Sequence, residues 1–229
     1  MISVIIPVYN QAEKIGECLA SLLTQTCQDF EVIIVNDGSM DNLRAVLENF
    51  QEKQVGRWQV INQTNQGSNP ARNRGAQEAK GDYLLFCDAD LVMKPLMLQR
   101  MKETLEDQPS VSFVYSSFRL GKKLFKLWPY DRERLKQMPY IHTTSLIRTQ
   151  DFPGFDNNIK RLQDWDLWLT MSEQGKIGYW LDEVLFTVKP GGRISQWLPK
   201  ITYWLCPWLP AVKKYQQAIA IIKVKYQLK

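Results

Sequence analysis

Residues 1–39, MISVIIPVYNQAEKIGECLASLLTQTCQDFEVIIVNDGS, decide the fold. Ser3-Val4-Ile5-Ile6 is a short β-branched run, as a parallel strand covered on both faces requires, and Pro7 is expected to end it. Ile15, Cys18, Leu19, Leu22 and Leu23 then recur at helical spacing and make one apolar face. Glu31-Val32-Ile33-Ile34-Val35 reads as a second buried strand, with Asn36-Asp37-Gly38-Ser39 as its turn. Strand–helix–strand in so few residues predicts an α/β domain with a largely parallel sheet.

The pattern continues outward. Leu43, Val46, Leu47 and Phe50 mark a second helix capped by Ser39 or Asp41. Trp58–Ile61 is a third strand, and Pro70 opens a helix running to Ala79. Tyr83-Leu84-Leu85-Phe86-Cys87 is a fourth strand, stopping at Asp88. Beyond Asp90 the signal weakens. A helix is expected over Leu96–Leu105 and a strand over Val111–Tyr115, then a basic, aromatic connection over 119–140. A further strand is expected over Tyr140–Ile147, and an amphipathic helix over 162–174 with Trp165, Trp168 and Leu169 on one side. No linker is visible before about Lys189.

The 229 residues are 45% hydrophobic and 11% aromatic, enough for a sizeable core, which excludes disorder and a disulfide scaffold. The four cysteines form no CxxC pair, and Cys18 and Cys87 fall in apolar patterns as reduced, buried thiols. Residues 1–183 carry 21 Lys/Arg against 24 acids, net −3, whereas 184–229 carry eight Lys/Arg and no acid, net +8. A mildly acidic body without a recognition motif argues against nucleic-acid binding. The N-terminus lacks a basic n-region and no run of about 18 apolar residues occurs, so a cytoplasmic protein without a transmembrane helix is expected.

In such sheets ligands bind beyond the carboxyl ends of the strands. Those ends carry Tyr9-Asn10, Asp37-Gly38-Ser39 and Asp88-Ala89-Asp90, so three polar clusters should meet at one edge. Two carboxylates one residue apart at a strand end are hard oxygen ligands for Mg²⁺ or Mn²⁺, although Asp-x-Asp also occurs in plain solvated turns. An acid placed like Asp37 can bond a ribose hydroxyl or a base N–H, or merely shape an Asp-Gly turn. The loop Pro7–Gln11 is no GxGxxG and no Walker sequence exists, so dinucleotide and P-loop chemistry are excluded. The weight of phosphate binding then falls on a metal at Asp88 and Asp90.

Val4–Asn10, Val35-Asn36-Asp37-Gly38-Ser39, Asn65-Gln66-Gly67 with Ala71-Arg72-Asn73-Arg74-Gly75, and Asp88-Ala89-Asp90 together resemble the ordered motifs of family 2 glycosyltransferases. The resemblance covers residues 1 to about 190. It implies a GT-A fold, with a nucleotide-binding half (1–90) joined to an acceptor half (91–190); beyond it, the residues themselves read as a basic, Trp-rich, helical extension (191–229). It also implies inverting transfer of a sugar from a nucleoside-diphosphate sugar, a UDP-sugar being favoured, to a hydroxyl of a glycan or lipid-linked acceptor in cell-surface polysaccharide or glycolipid synthesis. By position, Pro7, Tyr9 and Asp37 would line the nucleoside pocket and Arg72 would lie near base or phosphates. Asp88, followed by Ala89, would meet ribose or metal-bound water, and Asp90 would ligate Mn²⁺ or Mg²⁺ directly. Gln163-Asp164-Trp165-Asp166 is similar to the family's base segment, with Asp164 as the base in preference to Asp166 and Gln163 standing where glutamate is usual. Thr143–Arg148 resembles a segment bordering the acceptor, and the neighbouring His142, the one histidine, is read first as structural.

The sequence departs from the family at Lys189–Ser195, where relatives close a loop over the diphosphate with a histidine or arginine. Here there is no histidine, and Lys189 or Arg193 is expected to neutralise phosphate instead. Over 196–229, Trp197, Tyr203, Trp204 and Trp208 beside lysines suit the inner face of an anionic membrane, but a helix packed on the domain is the favoured reading. Two other functions compete. A nucleotidyltransferase would need a glycine-rich basic loop where Pro7–Glu13 stands. A catalytically silent relative that only binds a sugar nucleotide or partner draws support from Gln163 and the missing histidine.

Overall fold

A computed structural model of the chain describes residues 1–51, 57–190 and 208–228. Its first half alternates strand and helix: β1 (Ile2–Val8), α1 (Ala12–Leu23), β2 (Phe30–Asp37), α2 (Leu43–Gln51), β3 (Arg57–Gln63), α3 (Ser68–Glu78) and β4 (Tyr83–Phe86). The second half adds β5 (Leu91–Met93), α4 (Met97–Asp107), β6 (Phe113–Leu120), β7 (Lys123–Phe125), α5 (Arg132–Gln137), β8 (Leu146–Arg148), α6 (Gln163–Glu173), β9 (Gly178–Val188) and α7 (Pro210–Lys225). Among the described residues one sheet runs β3-β2-β1-β4-β8-β6-β9-β5, with β7 pairing off β6. Strands β3 to β4 are parallel, β8 is antiparallel to both β4 and β6, β9 runs parallel to β6, and β5 is antiparallel to β9. This is the α/β, Rossmann-like sheet that the alternating apolar runs predict.

Side chains alternate across that sheet as the pleat demands. Ile2, Val4, Ile6 and Val8 point into one core with α1, α2 and α4. Ile5, Ile33 and Val35 point into the other, with Trp165, Trp168 and Ile222. Helix α3 lies very close to the sheet. A Cβ on Gly75 would stand 2.4 Å from Ile5 Cγ2 and 3.3 Å from Val35 Cγ2, so only glycine permits that approach. Cys18 and Cys87 are buried, unbridged thiols with Sγ atoms 3.5 Å apart.

Several expectations are corrected. Strand β1 continues through Pro7, which pairs with Val35. Ile5 bonds to the β4 side, where its carbonyl accepts the Cys87 N–H at 2.9 Å, and β4 pairing ends there. Pro7, two residues on, faces the same side, so its missing N–H deprives no partner. The caps of α2 are reassigned: Asp41 Oδ2 accepts the Ala12 N–H of α1 at 2.8 Å, and Ser39 Oγ accepts the Asn10 N–H at 3.0 Å. Residues 119–140 contain the β6–β7 hairpin and α5 rather than a bare connection. The strand expected over Tyr140–Ile147 shrinks to Leu146–Arg148, and β5 and β9 lie where none was expected.

Helix α7 packs its Val212, Ala218 and Ile222 inward, Ile222 joining the core that holds Trp168. Trp208, Ile221 and Val224 stay exposed. Arg193, Trp197, Tyr203 and Trp204 lie outside the described residues. Among the described residues no helix is long and apolar enough to cross a membrane.

Candidate active site

The carboxyl ends of β1, β2 and β4 meet along one edge of the sheet. Just past β4, Asp88 is half-buried, Ala89 is buried and Asp90 is 8% exposed. Arg72, on α3 and 4% exposed, reaches Asp88 Oδ1 with Nη2 at 2.8 Å and stacks over Phe155 at 5.3 Å. Burial alone would raise the Asp88 carboxyl, but the Arg72 guanidinium, helped by His142, holds it below the ordinary carboxylate range. Asp90 has no such arginine. Burial and the Asp88 charge push it up to about 6, with Lys14 on α1 pulling the other way. A cavity of about 570 Å³, lined by residues 10–14 and 40–42, opens beside these strand ends.

Asp37 is 3% exposed and shapes the neighbouring loop. Its carboxylate accepts Gln63 Nε2 (2.8 Å), the Gln66 N–H (2.8 Å) and the Gly67 N–H (2.9 Å). Gly67 has φ of 99°, a left-handed conformation that glycine adopts without strain, and α3 starts directly after it. Pro7 is buried beneath the site and Tyr9 is half-buried at its rim.

Helix α3 also holds the segment that leads to Asp164. Asn69 donates from Nδ2 to the carbonyls of Asp156 (2.8 Å) and Ile159 (3.0 Å). Asn73 clasps Phe155 by both backbone groups, Nδ2 to the carbonyl and Oδ1 from the N–H, each at 2.8 Å. Gln163 Nε2 donates to Ser68 Oγ at 3.0 Å. Leu162 then enters α6 with φ of 57°, in the left-handed region that is costly for any residue but glycine. Asp164 follows in the first turn, half-buried, its Oδ1 accepting the Trp165 N–H at 2.9 Å. Burial pushes its carboxyl upward, against the Trp165 N–H, His142 and Arg72.

His142 is nearer the chemistry than its sequence context shows. Its ring packs against Phe118 (5.0 Å) and Phe186 (5.2 Å), and Nδ1 accepts the Thr144 N–H at 3.0 Å. The proton of the neutral ring therefore sits on Nε2. Burial lowers its pKa, while Asp88 and Asp164 both pull it back up. One ring thus senses both acids, a link invisible along the chain because each is more than 20 residues away. Trp165 and Trp168 are core, at 1% and 0% exposure, with indole N–H groups donating to the Leu135 and Ile141 carbonyls. Lys189 pairs with Glu17 through its ammonium, and its backbone N–H donates to the Asp90 carbonyl at 2.9 Å. Asp166, the rival base, is 3% exposed and engaged by Lys225 and Tyr226.

Residues 3–161 match the family model described as glycosyl transferase family 2. The chain is 41% identical over 106 residues to the uncharacterized glycosyltransferase EpsJ of Bacillus subtilis, covering 46% of this chain and 30% of that protein. It spans well under half the length of the curated relatives it matches. Among solved structures it resembles TarS 1-349 of S. aureus in complex with UDP, with a TM-score of 0.72 at 21% identity, covering 100% of this chain and 67% of that one. It also resembles the mannosyltransferase PcManGT of Pyrobaculum calidifontis in complex with GDP-Man and Mn²⁺, with a TM-score of 0.71 at 17% identity, covering 97% and 75%.

Proposed function

The chain belongs to glycosyl transferase family 2, and on that premise we propose that it transfers a sugar from a nucleoside-diphosphate sugar to an acceptor hydroxyl, with inversion at the anomeric carbon. The observation that carries this reading is two acids with different partners: Asp88, ion-paired to Arg72 at 2.8 Å, and Asp164, half-buried at the start of α6 with the Trp165 N–H on Oδ1. Asp88 is kept ionised by Arg72, and Asp164 is raised by burial across the site, with His142 and Arg72 influencing both. A family 2 protein needs a charged donor pocket and a separate base, and these residues supply both.

Asp164 takes the proton from the acceptor hydroxyl as that oxygen attacks the anomeric carbon. The bond from that carbon to the diphosphate oxygen breaks on the opposite face, and the nucleoside diphosphate leaves. Arg72 offsets charge near the diphosphate and orients Asp88. The loop organised by Asp37, with Pro7 and Tyr9, forms the nucleoside wall.

A divalent cation fits Asp88 and Asp90. Both are hard oxygen donors, and the upward push on Asp90 marks a buried acid short of countercharge. Among the described residues no cluster of three or more His, Cys, Asp or Glu could hold a metal. Asp88 and Asp90 would therefore be the residues that hold the ion. When bound, Mn²⁺ or Mg²⁺ supplies charge stabilisation for the leaving diphosphate. Solved neighbours hold UDP in one case and GDP-Man with Mn²⁺ in another, which supports a nucleotide-sugar donor and a divalent ion. UDP is the favoured nucleotide, and a glycan or lipid-linked hydroxyl at the cytoplasmic face of a membrane the favoured acceptor. The exposed Trp208, Ile221 and Val224 beside Lys213 and Lys214 support peripheral attachment there.

The test is calorimetric titration with UDP, GDP and dTDP, each with and without Mn²⁺, for wild type and Asp90→Asn. Metal-dependent binding of one nucleotide, lost in the variant, is expected. Absence of binding to all three in folded protein would overturn the donor reading.

A further inference from the structure

Asp166 follows Asp164 by two residues on α6, and its nearly buried carboxylate is held from the far end of the chain. Lys225 Nζ donates to Asp166 Oδ1 at 2.6 Å and, with the same ammonium, to Asp156 Oδ2 at 2.9 Å. Tyr226 Oη donates to Asp166 Oδ1 at 2.8 Å and lies 2.7 Å from Thr170 Oγ1, one turn further along α6. Ile222 and Tyr226 sit at 0% and 9% exposure in the same core as Trp165 and Trp168. One ammonium and one phenol from α7 and its end therefore fasten the segment carrying Asp164 on both sides, at Asp156 before it and Asp166 after it.

We infer that α7 is a brace for the base helix, and that Lys225 and Tyr226 are positioning residues that set where the Asp164 carboxylate stands. The inference rests on Asp164 being the base. A buried carboxylate that loses a partner must take up a proton, reach water or shift its helix, because an unpaired charge there is strongly unfavourable, and each response alters the start of α6. A displacement of about 1 Å at a reacting group is enough to cost about a hundredfold in rate. The donor side is built differently. Arg72 holds Asp88, and Gln63 with the Gln66 and Gly67 N–H groups holds Asp37, whereas the hydrogen bonds of Lys225 and Tyr226 run to Asp156, Asp166 and Thr170. Loss of the brace should then spare donor binding.

The test uses the full chain and the variants Lys225→Met, Lys225→Arg, Tyr226→Phe and Asp164→Asn. Three quantities are measured: amide hydrogen exchange over 155–168 and over 83–91, UDP affinity with Mn²⁺, and UDP release from UDP-glucose, UDP-galactose and UDP-GlcNAc. In Lys225→Met, exchange should rise over 155–168 alone, UDP affinity should stay within about twofold, and kcat should fall about ten- to a hundredfold. Lys225→Arg, whose forked cation can span both carboxylates, should restore most of the rate. Tyr226→Phe keeps the ring and should give a smaller loss of the same kind, which covers the case of Lys225→Met failing to fold. Unchanged exchange over 155–168, or parallel losses over 83–91 and in UDP affinity, would overturn the brace. A wild-type rate in Asp164→Asn would sink the base assignment alone. Should no donor release UDP even from wild type, the exchange comparison still decides whether α7 holds α6.

Discussion

Asp164 and Asp166 share a turn of helix yet stand in opposite situations. Asp166 is locked to a cation and a phenol, whereas Asp164 keeps one oxygen beyond its bond from Trp165 and is pushed up by burial. A raised folded pKa means that the ionised form opposes folding once the pH exceeds the ordinary carboxylate value near 3.9. Asp164→Asn should therefore melt no lower than wild type, and somewhat higher, at pH 7, with the difference vanishing below about pH 4. The same change should lower kcat by about 10²–10⁴-fold with UDP affinity intact. Thermal melts across pH and UDP-release rates check both, and a lower Tm at pH 7 would contradict the burial argument. The acid limb of the kcat profile should correspondingly lie above the ordinary carboxylate range. The two acids were distinguishable in sequence by their motif positions. What makes Asp166 unsuitable as a base, a lysine 59 residues away, left no local trace.

At the scale of elements, the active edge is held by helices rather than by loops alone. The clasp of Asn73 on Phe155 satisfies two backbone groups next to the core, so Asn73→Ala should destabilise by about 1–3 kcal/mol, measurable by urea denaturation. Helix α7 adds a pH-dependent strut. The Lys225 ammonium holds the Asp156 carboxyl below its ordinary range, so its stabilisation is present above about pH 4 and fades as pH falls through the depressed folded value. The stability gap between wild type and Lys225→Met should accordingly narrow between pH 5 and 3, about the range in which aspartates titrate. A constant gap would show that the ion pair contributes nothing there. Legibility divides along the same lines. Strands β1, β2 and β4 are buried on both faces and read as unbroken apolar runs. Strand β9 mixes exposed and buried positions and pairs in register only with the distant β6 and β5, and β8 is three residues long. Periodicity cannot announce strands whose identity depends on such partners.

For the molecule as a whole, the parallel half contributes Asp88, Asp90 and Arg72, and the later half contributes His142 and Asp164 to the same electrostatic cluster. Sequence motifs found each half's acids, but the pairing of β8 with β4 that joins the two halves left no local signal. A ligand bound at such a junction stabilises both halves together, because it binds the folded state and has no site in the unfolded chain. UDP with Mn²⁺ at about a hundred times Kd should therefore add about 2.7 kcal/mol to the unfolding free energy, seen as a rise in Tm. Asp90→Asn should lose this rise, since on the proposed reading Asp90 would hold the divalent ion. Asp164→Asn should keep it in full, since the proposed base would face the acceptor rather than the nucleotide. Equal Tm shifts in all three proteins would mean that the nucleotide binds without the acidic pair, and the site would have to be sought nearer the cavity at residues 10–14 and 40–42. A shift lost in both variants would instead mean that the halves close on the donor as one unit, with Asp164 taking part in nucleotide binding.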